Sequence, residues 1–157
     1  MKVSDQEIEN RLSHFREKAQ QAGVKLTHQR LEILRAVASS LEHPTAETVY
    51  RAVRGGMPTV SLDTVYRTLW LLTDLGLLRT LGQRQDGVRF DANVAQHHHY
   101  RCINCGMVRD FESADLNALP IPEAVRDFGD VVGTQIEVQG ICTACQEAAA
   151  DQDPTLQ

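Results

Sequence analysis

No stretch of about eighteen or more consecutive apolar residues occurs, which excludes a hydrophobic transmembrane helix. The first ten residues, MKVSDQEIEN, also lack the apolar segment of a secretory signal. Internal repeats and low-complexity tracts are missing, and the apolar fraction of 42% is typical of a chain that folds. We therefore expect a cytoplasmic globular protein whose 157 residues form one ordinary domain or two small ones.

Positive charge is scarce overall, and the formal net charge of −5 by itself argues against a nucleic-acid partner. The deficit is unevenly distributed, however. Residues 1–84 carry 12 lysines and arginines against 9 acidic residues, whereas residues 85–157 carry 4 against 12. A mildly basic half joined to a strongly acidic half suits a DNA-binding part coupled to a cation-binding part, which removes the objection without proving either function.

Cysteine is limited to four residues, which form two Cys-x-x-Cys pairs: Cys102 with Cys105 and Cys142 with Cys145. In a reducing compartment this paired spacing favours a metal over disulfides. Each pair directs two sulfurs to one point, and two pairs complete a tetrahedral Zn²⁺ site. Four thiolates leave no position for water, so we predict a structural zinc. Redox-active pairs and buried free thiols are the alternatives, which the zinc content per monomer would distinguish.

An enzyme must also be considered, because histidines near a Cys-x-x-Cys pair occur in zinc deaminases. Those enzymes need a His-x-Glu segment and a proline directly before the cysteine pair. Here the run His97-His98-His99 contains no glutamate, and Arg101 precedes Cys102. We therefore predict that the protein is not an enzyme.

The first half of the chain has the pattern of four helices followed by a hairpin. Four hydroxyl residues are placed to cap the helix starts, namely Ser4, Thr27, Thr45 and Ser61. Short strands are predicted from Leu77 to Leu81 and from Val88 to Asp91, on either side of a polar tip. This order indicates a winged helix-turn-helix, with a generic helical bundle and a trailing hairpin as the alternative.

The pattern of the second half indicates short strands and helical turns around the cysteine pairs. Strands are predicted at 97–102, 107–111 and 131–138, and proline-interrupted helical turns at 113–129. Residues 92–96 form a plausible hinge between the two halves, and the tail from Asp151 is expected to fray.

A second set of metal-binding residue types surrounds the first cysteine pair. On a strand, His97 and His99 point to one face. Asp91 and Asp110 offer carboxylates, and His43 lies in the break between the second and third helices. Such a mixture suits iron, manganese or zinc rather than calcium. From spacing alone, solvated or ordinary core residues remain the simpler interpretation of each.

Six segments, in this order, resemble the Fur family of metal-responsive bacterial repressors: LTHQRLEIL, HPTAETVYRAV, SLDTVYRTLWLLTDLGLL, VRFD, HHHYRCINCG and GICTAC. The resemblance covers residues 10–146. It implies an α+β fold with an N-terminal winged helix-turn-helix and a C-terminal α/β dimerisation domain that contains the four-cysteine zinc site. The implied organisation is a DNA-binding domain at 1–91, a hinge at 92–96, a dimerisation and metal-binding domain at 97–150 and a flexible tail at 151–157.

The resemblance also implies a regulatory metal, Fe²⁺ or Mn²⁺ or else Zn²⁺, between the two domains. Its ligands correspond to His43, Asp91, His97, His99 and Asp110. Iron-sensing members usually have glutamates where this chain has its two aspartates, so the sequence is most similar to the peroxide-sensing PerR branch. That branch implies iron-catalysed oxidation of His43 and His97, loss of the metal and release of DNA. The alternative is an iron-, zinc- or manganese-availability sensor without peroxide chemistry.

A homodimer on a palindromic double-stranded operator follows from the same resemblance. The helix after Ser61 is the predicted recognition helix, and Arg67 suits guanine while Tyr66 suits a thymine methyl or a phosphate. Trp70 is expected in the core, together with Leu71 and Leu75. The predicted DNA contacts are Ser61, Thr64, Tyr66, Arg67, Lys25, Arg30 and Arg84. No membrane and no small-molecule substrate other than peroxide is expected.

Overall fold

A computed structural model describes residues 3–82 and 87–150. The predictions for Arg84 and for residues 151–157 concern positions outside these ranges. The chain divides into two compact units, Met1–Val94 and Ala95–Gln157. Helices and strands both occur in each unit, which confirms the predicted α+β class. Within the described ranges, no helix has the length and apolarity needed to cross a membrane.

The described residues of the first unit form four helices and a pair of antiparallel strands. In chain order these are α1 (Asp5–Gln21), α2 (His28–Ala38), α3 (Ala46–Val53), α4 (Leu62–Asp74), β1 (Arg79–Leu81) and β2 (Arg89–Asp91). The hydroxyl oxygens of Ser4, Thr27, Thr45 and Ser61 accept hydrogen bonds of 3.1–3.3 Å from backbone N–H groups three residues further on. All four predicted helix caps are therefore confirmed.

One apolar core holds this unit together. The buried face of α4 consists of Val65, Leu69 and Leu72, spaced as helix geometry requires. Trp70 does not belong to that face, contrary to the expectation from sequence. It is 45% exposed, and its ring and that of Phe90 in β2 form a T-shaped pair with a centroid distance of 5.8 Å. One step along the helix from Leu69 turns its side chain away from the core.

Up to residue 150, where the described part ends, the second unit forms a three-stranded sheet and three short helices. In chain order these are β3 (His98–Cys102), β4 (Val108–Phe111), α5 (Ala114–Asn117), α6 (Glu123–Arg126), β5 (Glu137–Gly140) and α7 (Thr143–Ala150). The strands lie in the order β4-β3-β5, with β4 antiparallel and β5 parallel to β3.

The strand predicted at 131–138 is displaced in the structure. Residues 131–136 are irregular, and β5 begins only at Glu137, which pairs with His99. Val131 and Val132 have strand-forming side chains but are 42% and 101% exposed. Without a neighbouring strand to pack against, their intrinsic preference does not produce a strand.

Few apolar side chains are buried in the second unit. Among its described residues only Cys102 and Val108 are buried apolar groups. Large exposed apolar side chains are numerous instead, namely Ile103, Leu119, Val125, Phe128, Val131, Val132, Val138 and Ile141. The hydrophobic effect that stabilises the first unit is thus weak here, and the sheet depends on other interactions.

Candidate metal centres and DNA-binding face

The four cysteines converge on one point. Cys102 ends β3 and Cys105 lies in the loop that follows, while Cys142 and Cys145 flank the start of α7. The Sγ atoms of Cys102 and Cys145 are 3.9 Å apart, and those of Cys105 and Cys142 are 3.8 Å apart. Sulfurs about 2.3 Å from a tetrahedral zinc ion lie about 3.8 Å from one another. These two distances match that value, and all four sulfurs lie within 4.8 Å of one another, so the cluster suits Zn²⁺.

The thiols of this cluster ionise unequally. Backbone hydrogen bonds from Cys105 and Cys142 lower the pKa of Cys102 to about 6. A hydrogen bond with Asn104 lowers the pKa of Cys145, but the neighbouring thiols of Cys142 and Cys105 outweigh it together with burial and raise that pKa to about 12. These contacts therefore favour the thiolate at Cys102 and the protonated thiol at Cys145, and a bound cation would favour the thiolate at both.

In the first unit, His43 and Asp91 form a buried pair. The His43 Nδ1 atom lies 3.5 Å from Asp91 Oδ1, and both residues are at least 97% buried. The backbone N–H of Asn93 donates to the same Asp91 oxygen at 2.7 Å, which restricts its rotation. A histidine and a carboxylate held in this way could offer one nitrogen and one oxygen ligand to a transition metal.

Arg89 holds the backbone that carries His43, a role that was not predicted from the sequence. Its guanidinium donates to the carbonyls of Glu42 and His43 at 3.2 and 3.3 Å. The N–H of Phe90 donates to the Pro44 carbonyl at 3.0 Å. The segment before α3 therefore lies along β2, and the residue that holds it, Arg89, is two positions before Asp91. Arg89 belongs to the VRFD motif, but nothing in the sequence indicates that its partner lies 46 residues away.

In the second unit, His97, His99 and Asp110 converge. The two Nε2 atoms are 3.0 Å apart and lie 3.6 and 3.3 Å from Asp110 Oδ1. His99 and Asp110 face each other directly in the β3–β4 pairing. Donors about 2.0–2.2 Å from one ion and at right angles lie about 3 Å apart, so the arrangement fits a transition metal.

The orientation of the histidines is set by their other contacts. The Nδ1 of His97 donates to the Ala95 carbonyl at 2.8 Å, which leaves Nε2 for a metal. His98 points to the opposite face, where its ring packs on Phe111 and its Nδ1 accepts the N–H of Ile136 at 3.4 Å. The alternation of the histidine run therefore follows strand geometry, and His98 is a core residue.

One exposed face runs along α4. It consists of Asp63, Tyr66, Arg67 and Trp70. Arg67 is 81% exposed and forms a 3.0 Å ion pair with Asp63. Ser61 and Thr64 share a 2.9 Å hydroxyl contact at the start of the helix, where they serve as its cap.

A polar groove of about 260 Å³ lies between the start of α2 and α4. Its lining residues are Thr27, Gln29, Arg30, Thr64, Arg67, Thr68 and Leu71. The Arg30 guanidinium donates to the Lys25 carbonyl at 2.5 Å, and the Lys25 side chain is exposed. All the predicted DNA contacts that fall within the described ranges therefore lie on α4, at its cap or around the start of α2.

This chain is similar in sequence and in fold to known proteins. The model of the ferric uptake regulator family matches residues 21–130. The peroxide-responsive repressor PerR of Staphylococcus aureus is 36% identical over 148 residues, which cover 94% of this chain and 99% of the relative. The Helicobacter pylori ferric uptake regulator Fur has a TM-score of 0.71 at 22% identity, covering 93% and 97% of the two chains. A zinc-bound manganese uptake regulator has a TM-score of 0.61 at 28% identity, covering 81% and 97%. The chain therefore belongs to the ferric uptake regulator family.

Proposed function

We propose that this protein is a metal-dependent, DNA-binding transcriptional repressor that responds to peroxide. The observation that carries the proposal is the pair of ligand sets, one in each unit. Both sets consist only of histidines and aspartates, and they are the residues to which the family resemblance assigns the regulatory ligands. The 36% identical relative that is named a peroxide-responsive repressor supports peroxide as the signal.

The two ligand sets together offer three imidazoles and two carboxylates, which suit Fe²⁺ or Mn²⁺ and also accept Zn²⁺. We assign to this regulatory site His43, Asp91, His97, His99 and Asp110. By binding one ion in common, the two sets would link the two units. The linked arrangement would be favoured to the extent that it binds the ion more tightly than the unlinked one does.

The four cysteines hold a structural Zn²⁺ in this proposal. Four thiolates fill a tetrahedral ion and leave no position for a signal molecule. The site instead fixes the end of β3, the strand that carries His99. Zinc at the cysteines thus keeps the second ligand set in place.

A second copy of the chain is the proposed partner of the second unit. A unit that buries so few apolar side chains and exposes Phe128 by 87% and Ile103 by 64% gains the missing apolar contacts by dimerisation. Strand β5 lies at an edge of its sheet, where a neighbouring chain can add to it. In such a homodimer two copies of α4 would meet a palindromic operator.

The exposed face of α4 is the proposed DNA-contacting surface. Residues at the start of a recognition helix meet base edges, and basic side chains beside it bind phosphates. The groove between α2 and α4 places Arg30 and Arg67 together with hydroxyl groups, a combination suited to a phosphate. The proposed contacts remain Ser61, Thr64, Tyr66, Arg67, Lys25, Arg30 and Arg84.

His43 and His97 are the proposed targets of oxidation. Fe²⁺ held by these residues would supply the redox chemistry that splits the O–O bond of peroxide. One oxygen would be inserted into a ring C–H bond as the imidazole loses two electrons, and the other oxygen would leave as water. Both imidazoles are buried, which favours an oxidant formed at the site over one that arrives from solvent. Oxygen added to an imidazole ring makes it a poorer ligand, so the two ligand sets would separate and DNA binding would be lost.

The test compares the zinc-containing full chain loaded anaerobically with Fe²⁺ or with Mn²⁺. Binding is measured to a duplex selected from a random pool by the metal-loaded protein, before and after peroxide, and peptide masses are then determined. We expect the iron form alone to lose DNA binding and to gain one oxygen on a peptide containing His43 or His97. Peptides with the exposed His14 and His28 serve as internal controls. Retained binding without added oxygen in the iron form would contradict peroxide sensing.

The alternative is a sensor of iron, zinc or manganese availability without peroxide chemistry. It is favoured by the 28% identical zinc-bound manganese uptake regulator, and imidazole–carboxylate sets accept several metals. In that case Fe²⁺, Mn²⁺ and Zn²⁺ would each promote DNA binding, and peroxide would change none of the three complexes.

A further inference from the structure

The tyrosine on the exposed face of α4 is held by a carboxylate from another helix. The Tyr66 hydroxyl donates a hydrogen bond of 2.5 Å to Glu47 Oε1, and Glu47 lies in the first turn of α3. This length is typical of a charge-assisted O–H···O⁻ bond, about 2.5–2.7 Å. The bond is the largest cause that lowers the pKa of Glu47 and raises that of Tyr66. At neutral pH the carboxylate is therefore ionised and the hydroxyl keeps its proton.

This bond changes what Tyr66 can offer to DNA. A tyrosine hydroxyl has a single hydrogen to donate, and phosphate oxygens only accept. As long as Glu47 accepts that hydrogen, the hydroxyl does not donate to a phosphate. The adjacent carboxylate also repels a phosphate. What remains available is the aromatic ring, which is suited to an apolar contact such as a thymine methyl group.

Arg67, one residue further on, is held differently. Its partner Asp63 lies on the same helix, and both side chains are well exposed, at 81% and 67%. Such exposed pairs contribute little to stability, so the guanidinium can exchange Asp63 for a guanine or a phosphate at small cost. Arg67 therefore suits either a guanine or a phosphate, whereas Tyr66 is suited to an apolar contact of its ring with a base.

We propose that Glu47 is a positioning residue that makes the Tyr66 contact specific for a thymine methyl group. Glu47 withholds the hydroxyl from phosphates and fixes the ring relative to α3 and α4. The contact then distinguishes bases instead of adding affinity for any duplex. This inference rests on the proposed function, in which α4 enters the major groove.

The experiment uses the full-length, zinc-containing protein loaded with Mn²⁺, which avoids iron oxidation. The wild type first selects duplexes from a random pool. If it selects no sequence, the proposed function itself fails, before Glu47 is altered. Each thymine of a selected duplex is then replaced by deoxyuridine, which lacks only the methyl group. Affinities are measured for the wild type, Tyr66→Ala, Glu47→Ala and Glu47→Gln, with melting temperature and zinc content as checks of folding.

We expect at least one replacement to weaken wild-type binding about fourfold, the effect of one buried methyl group. Tyr66→Ala should abolish this dependence. Glu47→Ala should remove most of it and strengthen binding to unrelated duplexes. Glu47→Gln, which keeps an acceptor, should retain the dependence. The control Glu9→Ala, which removes an exposed carboxylate of α1, should change neither quantity.

A double-mutant cycle tests whether Glu47 acts through the hydroxyl. Glu47→Ala combined with Tyr66→Phe should lose no more methyl dependence than either single variant, because both remove the same hydrogen bond. Full methyl dependence in folded Glu47→Ala would overturn the proposal. Methyl dependence that survives Tyr66→Ala at every thymine would overturn it as well.

Discussion

The backbone at His43 adopts a conformation that non-glycine residues seldom use. Among the described residues other than glycine, only His43 has a positive φ, of 47°. Such a conformation costs on the order of 1 kcal/mol and persists only where neighbouring groups impose it. Arg89 supplies that restraint through the carbonyls of Glu42 and His43. Arg89, which is not one of the proposed metal ligands, therefore places the imidazole of His43 near Asp91.

Replacing this restraint should weaken the regulatory site selectively. We expect Arg89→Ala to lower the affinity for Mn²⁺ by roughly tenfold or more, as loss of a residue that orients a metal ligand does. Isothermal titration of the zinc-containing protein with Mn²⁺ measures this, and the zinc content should stay unchanged. Arg35→Ala removes an arginine that pairs with Glu9 and Glu32 on the surface, and it serves as the control. Equal Mn²⁺ affinities for Arg89→Ala and the wild type would rule out the positioning role.

At the scale of elements, the pairing of β5 with β3 leads the chain into the second cysteine pair. Gly140, the last residue of β5, pairs with Cys102. A Cβ atom at Gly140 would lie 2.7 Å from the Tyr100 hydroxyl oxygen and 3.1 Å from a ring carbon. The Tyr100 side chain can therefore lie this close to residue 140 only because that residue has no Cβ atom.

Gly140→Ala should therefore destabilise the sheet by overpacking, at a cost of about 1–3 kcal/mol. Urea unfolding followed by circular dichroism, with zinc release in parallel, measures the loss. Gly133→Ala is the matched control, because a Cβ there meets no atom within 4 Å. Adding Tyr100→Phe to Gly140→Ala should restore part of the stability. A Gly140→Ala protein as stable as the Gly133→Ala control would refute this account of the contact.

At the scale of the whole molecule, the two units are stabilised by different interactions. The first contains the apolar core, including the fully buried Leu12, Phe15 and Phe90. The second relies on its sheet and on the cysteine cluster, and in our proposal on a second chain. Zinc removal should therefore affect the two units unequally.

We expect a strong chelator to unfold the second unit and to convert the dimer to monomers, because a structural zinc contributes about 10–16 kcal/mol of apparent binding energy. Light scattering after size exclusion reports the mass, and circular dichroism reports the sheet. Trp70, the one tryptophan of the chain, packs on Phe90 in the first unit and should keep its fluorescence. Cys105→Ser should reproduce the effect without a chelator. A dimer that persists after complete zinc loss would contradict this division of stability.

Much of the local structure was predictable from sequence. A hydroxyl residue caps a helix by accepting a hydrogen bond from the backbone N–H three residues further on. Ser4 and Ser61 therefore predict the start of their helices from the local sequence alone. A Cys-x-x-Cys pair likewise makes a compact loop whatever surrounds it, and alternation along a strand separates His98 from its neighbours. The strand at 131–138 was misplaced, because strand formation requires a partner and the valines at 131 and 132 have none.

By itself, therefore, the sequence determined the helix starts, the pairing of the cysteines and the residue types at the metal sites, since these depend on groups within a few positions of one another. Only the tertiary structure decided that Arg89 holds His43, that Glu47 takes the hydrogen of Tyr66 and that β5 pairs in parallel with β3. Those contacts join segments between 19 and 46 residues apart. They arise from the packing of whole helices and strands against one another, which cannot be predicted from the spacing of residues along the sequence.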